Sequence, residues 1–243
     1  MMMIISKTVC KKTPPLLPLR SRREIGIIGG TGSGEKSPPS HGNHSQQSPR
    51  EVYMNREEMC SAVLAAIEKI DKPRILVAID GRCGSGKTTL AAALQEMLQC
   101  PVVHMDDFFL RPQQRTEERL ATPGGNIDME RFTREVLAPL QAGEAFSYRP
   151  FRCRTQILGE PVYVPCSAVT LVEGSYACHR RLWDAYDLRV FLTVSPARQL
   201  ERLQRRDPDK LSLFVSRWIP MEEQYFAAFD VEGRCWPVLD TTD

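Results

Sequence analysis

A lysine and a threonine placed directly behind spaced glycines can hold phosphate, and residues 81–88 read Gly-Arg-Cys-Gly-Ser-Gly-Lys-Thr. This fits GxxxxGK[ST] at every fixed position. Gly81, Gly84 and Gly86 allow the backbone to curl, and Gly84, Ser85 and Gly86 can turn their amides inward. Lys87 can neutralise the β and γ phosphates, and Thr88 can offer its hydroxyl to Mg²⁺, with Thr89 next in the same donor-binding set. Cys83 inside the loop reads as a small filler residue. A second glycine-rich stretch, GGTGSGEK from Gly29, puts Glu35 where the lysine belongs, so its charge repels phosphate and a flexible linker is expected.

Transfer of that phosphate to a hydroxyl needs a carboxylate that orients the hydroxyl and accepts its proton, and a second acid for Mg²⁺ or its waters. Asp106, just after the apolar run PVVHM, is the candidate base and a further metal candidate. Glu173, just after AVTLV, is the candidate for the metal. Asp107 reads equally well as the cap of a following turn. His104 and His179 read as a strand and a loop residue, and four scattered histidines make no metal site.

These residues converge only if their strands share a sheet. ILVAID (75–80) is a short β-branched run ending at a glycine, as expected of a strand buried on both faces of a parallel sheet. Further strands are expected at 101–105, 168–172, 188–194 and 237–239, with helices at 54–70, 87–99, 129–140, 196–206 and 212–228. The alternation predicts a three-layer α/β fold with a mainly parallel sheet of the P-loop NTPase type, with ligands at the carboxyl ends of the strands.

The chain has 243 residues and 42% hydrophobic content, enough for one core. Residues 1–50 carry eight Lys or Arg against Glu24 and Glu35, together with six of the eighteen prolines. They read as a disordered basic extension before a domain over 51–243. The body is then net acidic, which argues against nucleic acid as a partner. Eight cysteines without metal spacing and no long apolar run point to a cytoplasmic protein with no membrane partner; a homo-oligomer is compatible.

After the glycine loop, MDDFF, GGNIDMERF, YRPFRCRTQ, LVEGSY and FVSRWIPMEEQYF occur in this order over about residues 74–240, and the chain resembles the uridine kinase family, particularly its bacterial uridine kinase-like branch. The resemblance implies ATP-dependent, Mg²⁺-requiring transfer to the 5′-hydroxyl of a nucleoside-like small molecule, with Asp106 as base. It assigns Asp128 to ribose hydroxyls, although Asp128 also suits the helix N-cap before MERF. Tyr148 and Phe151 fall in the expected base platform, or pack beneath a loop, and Arg154 follows in the same substrate stretch. Arg202, Arg205 and Arg206 match a small helical lid over ATP, where guanidinium groups can fork onto phosphate; a solvated basic face is the bland alternative.

Two positions depart from the family. Arg152 stands where an acid is typical and Arg180 where a proline is usual, and the first bears directly on recognition of the base. The alternatives are another kinase of this architecture acting on a nucleoside monophosphate or a different small alcohol, and a non-catalytic nucleotide-binding regulator. Absence of NKxD and DxxG sequences counts against a GTPase-like switch.

Overall fold

The computed structural model describes residues 54–242. The basic extension over 1–50, its GGTGSGEK stretch and the start of the expected domain at 51 lie outside those residues.

Asn55 starts the first helix, α1 (Arg56–Ile67), by accepting from the Glu57 and Glu58 amides, while Glu58 reaches back to the Asn55 amide at 2.9 Å. The chain enters β1 (Ile75–Gly81), crosses the glycine loop into α2 (Lys87–Leu98) and returns as β2 (Val102–His104). Short helices α3 (Glu117–Ala121) and α4 (Met129–Phe132) follow, and α4 continues through a π-helical turn, Thr133–Leu137, into α5 (Ala138–Ala142). Then come β3 (Phe146–Tyr148), β4 (Phe151–Arg152), β5 (Ile157–Leu158) and β6 (Val162–Val164). These form two antiparallel pairs, β3 with β6 and β4 with β5. The remainder is β7 (Val169–Glu173), β8 (Leu188–Thr193), α6 (Pro196–Arg206), α7 (Leu211–Leu213), α8 (Ile219–Phe229) and β9 (Val238–Asp240).

The main sheet has the order β2-β7-β1-β8-β9, with every neighbouring pair parallel. Alternate residues of β1 supply its two faces, as strand geometry requires. Ile75, Val77 and Ile79 pack with Val63 and Ile67 of α1 and Leu90 and Leu94 of α2. Ala78 faces the other layer, with Phe108, Phe132, Phe191 and Tyr225. This is the three-layer α/β arrangement expected from the sequence. Among the described residues no helix is long and apolar enough to cross a membrane.

Register decides what meets at the carboxyl edge. Ile79 of β1 and His104 of β2 both stand opposite Glu173 of β7, so the glycine loop and the acids that follow β2 and β7 emerge together. Beneath them lies Asp80, fully buried, which accepts from the Gly81 amide (2.7 Å), the Cys178 amide (2.8 Å) and the Tyr225 hydroxyl (2.8 Å). Burial raises its carboxyl to about pKa 6 despite these donors. Both carboxylate oxygens serve as acceptors, so an amide in their place turns an NH₂ toward a donor. Asp80→Asn is expected to cost about 2 kcal/mol, a fall of roughly 4–8 °C in melting temperature followed by circular dichroism. An unchanged Tm would mean that the network contributes nothing to stability.

Candidate active site

The glycine loop takes its shape from backbone conformations that side chains disfavour. Gly84 and Gly86 have φ of +77° and +94°, and Gly86 starts α2, so the loop amides lie at a helix N-terminus. Gly81 is fixed by crowding as well: a Cβ there would fall 2.0 Å from the Leu192 carbonyl oxygen. Lys87 is buried, and its Nζ donates to the carbonyls of Gly81 (2.7 Å) and Arg82 (3.0 Å), which holds the ammonium inside the loop.

The loop is also gripped from outside by residues far along the chain. Arg82 forks onto Glu223 at 2.8 and 3.2 Å and reaches Glu232 at 3.0 Å. Glu222 of α8 accepts from the Cys83 amide (2.9 Å) and the Ser175 hydroxyl (2.5 Å), tying the loop to the segment after β7. Gln199 of α6 donates to the Cys83 carbonyl at 2.9 Å. The Thr241 hydroxyl lies 2.9 Å from the Ser85 carbonyl, and Arg202 donates to the carbonyls of Gly84 and Thr241. Burial and the nearby Glu222 push the Cys83 thiol up, so it stays neutral and acts as the filler expected.

A cleft of about 1790 Å³ opens beside this loop. Lys87, Thr88, Asp106, Glu173, Arg202 and Arg206 all line it. Gly84, Ser85, Gly86, Thr89, Phe151, Arg154 and Arg205 line it as well, so most of the residues expected to act together are brought to one space. A smaller cavity of about 240 Å³ lies by Arg74, Gly143, Cys166 and Asp187, toward the start of β1 and away from the carboxyl edge that carries these groups.

Asp106 sits on a 3-10 turn, Met105–Phe108, directly after β2. Its side chain is solvent-exposed and lines the cleft. Enclosure by the surrounding protein raises its carboxyl to about pKa 6, opposed by Lys87 and helped by Glu173 and Glu222. Glu173 ends β7, and His104 Nδ1 lies 2.5 Å from its Oε1. That bond raises the His104 pKa and fixes the carboxylate toward Thr88, whose hydroxyl is 3.3 and 3.4 Å from the two oxygens.

Thr88 and Glu173 form an all-oxygen pair of the kind Mg²⁺ prefers, and a Cβ built on Gly86 would meet no atom within 4 Å, so there is room next to the loop amides. Among the described residues no three His, Cys, Asp or Glu groups could hold a metal by themselves. An ion here would need phosphate oxygens to complete its shell, which fits a site that binds metal together with nucleotide.

Two residues expected at the substrate, Tyr148 and Asp128, are buried and do not line the cleft. Tyr148 is 2% exposed, packs its ring 5.1 Å from Phe108 and donates its hydroxyl to Asp107 at 2.9 Å. It is a core residue and is absent from the cleft lining. Asp128 is also 2% exposed: it caps α4 by accepting from the Arg131 amide (3.1 Å) and accepts from Gln114 at 2.8 Å. Asp107 accepts from Tyr148 and pairs with Arg152 at 3.5 Å. Gly81 underlies the loop without lining the cleft.

Sequence reasoning missed Glu222, although a pattern announces it. Its neighbours at i+3 and i+4, Tyr225 and Phe226, are buried, so a carboxylate on that face needs polar partners. His104 was expected as a strand residue, which it is. Its ring contact with Glu173 follows from the parallel register of β2 and β7, which composition does not reveal.

No family model matches the chain. Over 175 residues it is 32% identical to the bifunctional alpha-galactosidase/sucrose kinase AgaSK of Mediterraneibacter gnavus; the match takes in 62% of this chain and 18% of that much longer protein. A solved structure from Bacillus stearothermophilus, described as a "Possible Uridine Kinase", superposes with a TM-score of 0.58 at 22% identity, covering 76% of this chain and 97% of that one. Another from Silicibacter sp. TM1040, described as a "putative fructose transport system kinase", gives 0.54 at 26% identity, over 72% and 95% of the two chains. The chain has the fold of the P-loop kinases, and uridine kinase-like proteins are among those it resembles.

Proposed function

We propose that the protein is an ATP-dependent kinase that phosphorylates a primary hydroxyl on a small furanose-bearing acceptor. The observation that carries this reading is the single cleft lined by the Lys87 loop, by Asp106 and by Glu173, the set a hydroxyl kinase needs. Sucrose, fructose and uridine, named in the descriptions of the proteins it resembles, have one chemical part in common, a five-membered sugar ring bearing a hydroxymethyl group. The nucleoside 5′-hydroxyl is one case of this class. The buried positions of Tyr148 and Asp128 remove one expected contact to a base and one to ribose, so the reading rests on the reacting groups and not on base recognition.

In the reaction, the acceptor oxygen attacks the γ-phosphorus, the bond from that phosphorus to the β,γ-bridging oxygen breaks, and ADP departs. The hydroxyl proton passes to Asp106. Lys87 and the arginines of α6 balance charge on the phosphates. Thr88 and Glu173 would hold Mg²⁺, which supplies further charge neutralisation on the donor phosphates.

ADP release with ATP and Mg²⁺ is the direct test, with uridine, cytidine, fructose, sucrose and phosphorylated forms of these that keep a free primary hydroxyl as acceptors. Turnover at least about a hundredfold above the rate without acceptor is expected. Equal turnover with and without every acceptor would point instead to a nucleotide-binding regulator. A second expectation concerns pH. Asp106 must be ionised to accept a proton, so kcat/KM for ATP should rise through about pH 6 and level off above it. A flat acid limb would remove Asp106 from that role.

A further inference from the structure

The acceptor end of the cleft carries more positive charge than a neutral sugar needs. Three arginines, Arg115, Arg152 and Arg154, line it on the side of Asp106 and Asp107. Two come from the β4–β5 hairpin, where β4 packs against the turn that carries Asp106. The third lies over that hairpin, with the Arg115 guanidinium 5.9 Å from the centroid of the Phe151 ring.

These groups have little to satisfy them within the protein. Arg115 uses its Nε on the Leu110 carbonyl at 2.9 Å, and its terminal nitrogens have no carboxylate within 4 Å among the described residues. Arg154 forms no ion pair there either. Arg152 Nη1 lies 3.5 Å from Asp107, and the Arg152 side chain is 57% exposed. Asp107 is shared with the Tyr148 hydroxyl, and together with Asp106 on the same side it offsets two charges of the three, which leaves one in excess. The donor end has its own cations in Lys87, Arg202, Arg205 and Arg206, so these three arginines are surplus to the triphosphate. A guanidinium has only donors, in a planar fork that matches phosphate or carboxylate oxygens.

We infer that the acceptor is anionic: it bears a phosphate or carboxylate group, held by Arg115, Arg152 and Arg154, at the end of the molecule away from the hydroxyl that reacts. The inference rests on the kinase reading for the identity of the bound molecule. The anion subsite itself can be tested separately from turnover.

The experiment occupies the donor site with a non-hydrolysable ATP analogue and Mg²⁺, so that added anions cannot bind there. The protein is then titrated calorimetrically with matched pairs: fructose and fructose 6-phosphate, sucrose and sucrose 6-phosphate, uridine and uridine 3′-monophosphate. Each anionic member keeps a free primary hydroxyl. In at least one pair the phosphorylated member should bind about tenfold or more tightly than its neutral partner. Arg115→Gln, Arg152→Gln and Arg154→Gln should each shrink that preference while leaving the affinity for the ATP analogue unchanged. These side chains are on the surface, so the variants should fold. If the members of every pair bind alike, if none binds, or if the preference survives all three substitutions, the subsite is wrong and the arginines are only solvated. Release of ADP from ATP, measured with the same compounds, tests the other reading. Selective binding of an anion without turnover keeps the subsite and removes the kinase, and efficient turnover of neutral acceptors alone does the reverse.

Discussion

Lys87→Ala abolishes acceptor-dependent ADP release, with a loss of at least about 10³ in kcat/KM, and leaves the protein folded. The side chain is nearly buried, and its two hydrogen bonds go to loop carbonyls, so its ammonium is the positive charge held deepest within the glycine loop. Arg202 enters from α6 and is engaged with Gly84 and Thr241. The fold should survive because Gly84 and Gly86 hold their own conformations and the loop remains tied to Glu222 and Glu223. Steady-state kinetics beside a thermal melt would check both halves. Substantial turnover in the variant would mean that the loop does not hold the transferred phosphate.

The second large effect belongs to Asp106. Asp106→Asn preserves size and removes the capacity to accept a proton, so the rate should fall by about 10² to 10⁴ with ATP affinity nearly unchanged. Its raised pKa makes a second readout available, because the inflection of the pH profile near 6 should vanish together with the rate. Glu173 lies close enough to influence Asp106 and is the obvious substitute base. It is already held by His104 and faces Thr88, so it is poorly placed to take over. If Asp106→Asn kept the full rate, another group would be the base.

The parts of the fold that were legible are those where one physical requirement governs several residues in succession. Strands β1, β7 and β8 are buried on both faces and must be apolar throughout, so ILVAID and its counterparts stand out, and the structure starts or ends them within a residue or two of the expected limits. The glycine loop was legible because positive φ and close approach leave few alternatives to glycine at 84, 86 and 81. The small pairs β3–β6 and β4–β5 were not seen, since strands of two or three residues are too short to display an alternation. The π-helical turns at Thr133–Leu137 and Phe214–Trp218 preserve apolar spacing well enough to read as ordinary helix.

The placement of Asp106 and Glu173 at the cleft was legible because each stands at the end of a strand or directly after it and so must emerge at the carboxyl edge. Tyr148 and Asp128 were assigned by resemblance to motifs, and motif order does not say which way a side chain turns. Phe108 offers Tyr148 a ring to pack on and Asp107 offers its hydroxyl an acceptor, so burial is the better outcome for this side chain. Asp128 stands one residue ahead of a helix and meets the demand of the Arg131 amide.

The grip of Thr241 on Ser85, of Glu222 on Cys83 and of Glu232 on Arg82 bears on the order in which the molecule is made. Residues 81–88 leave the ribosome long before the segments that brace them, and the last of those braces lies more than 150 positions downstream. Until it emerges the loop lacks its supports, so a nucleotide bound there as proposed would stabilise the finished domain and not the half-made one.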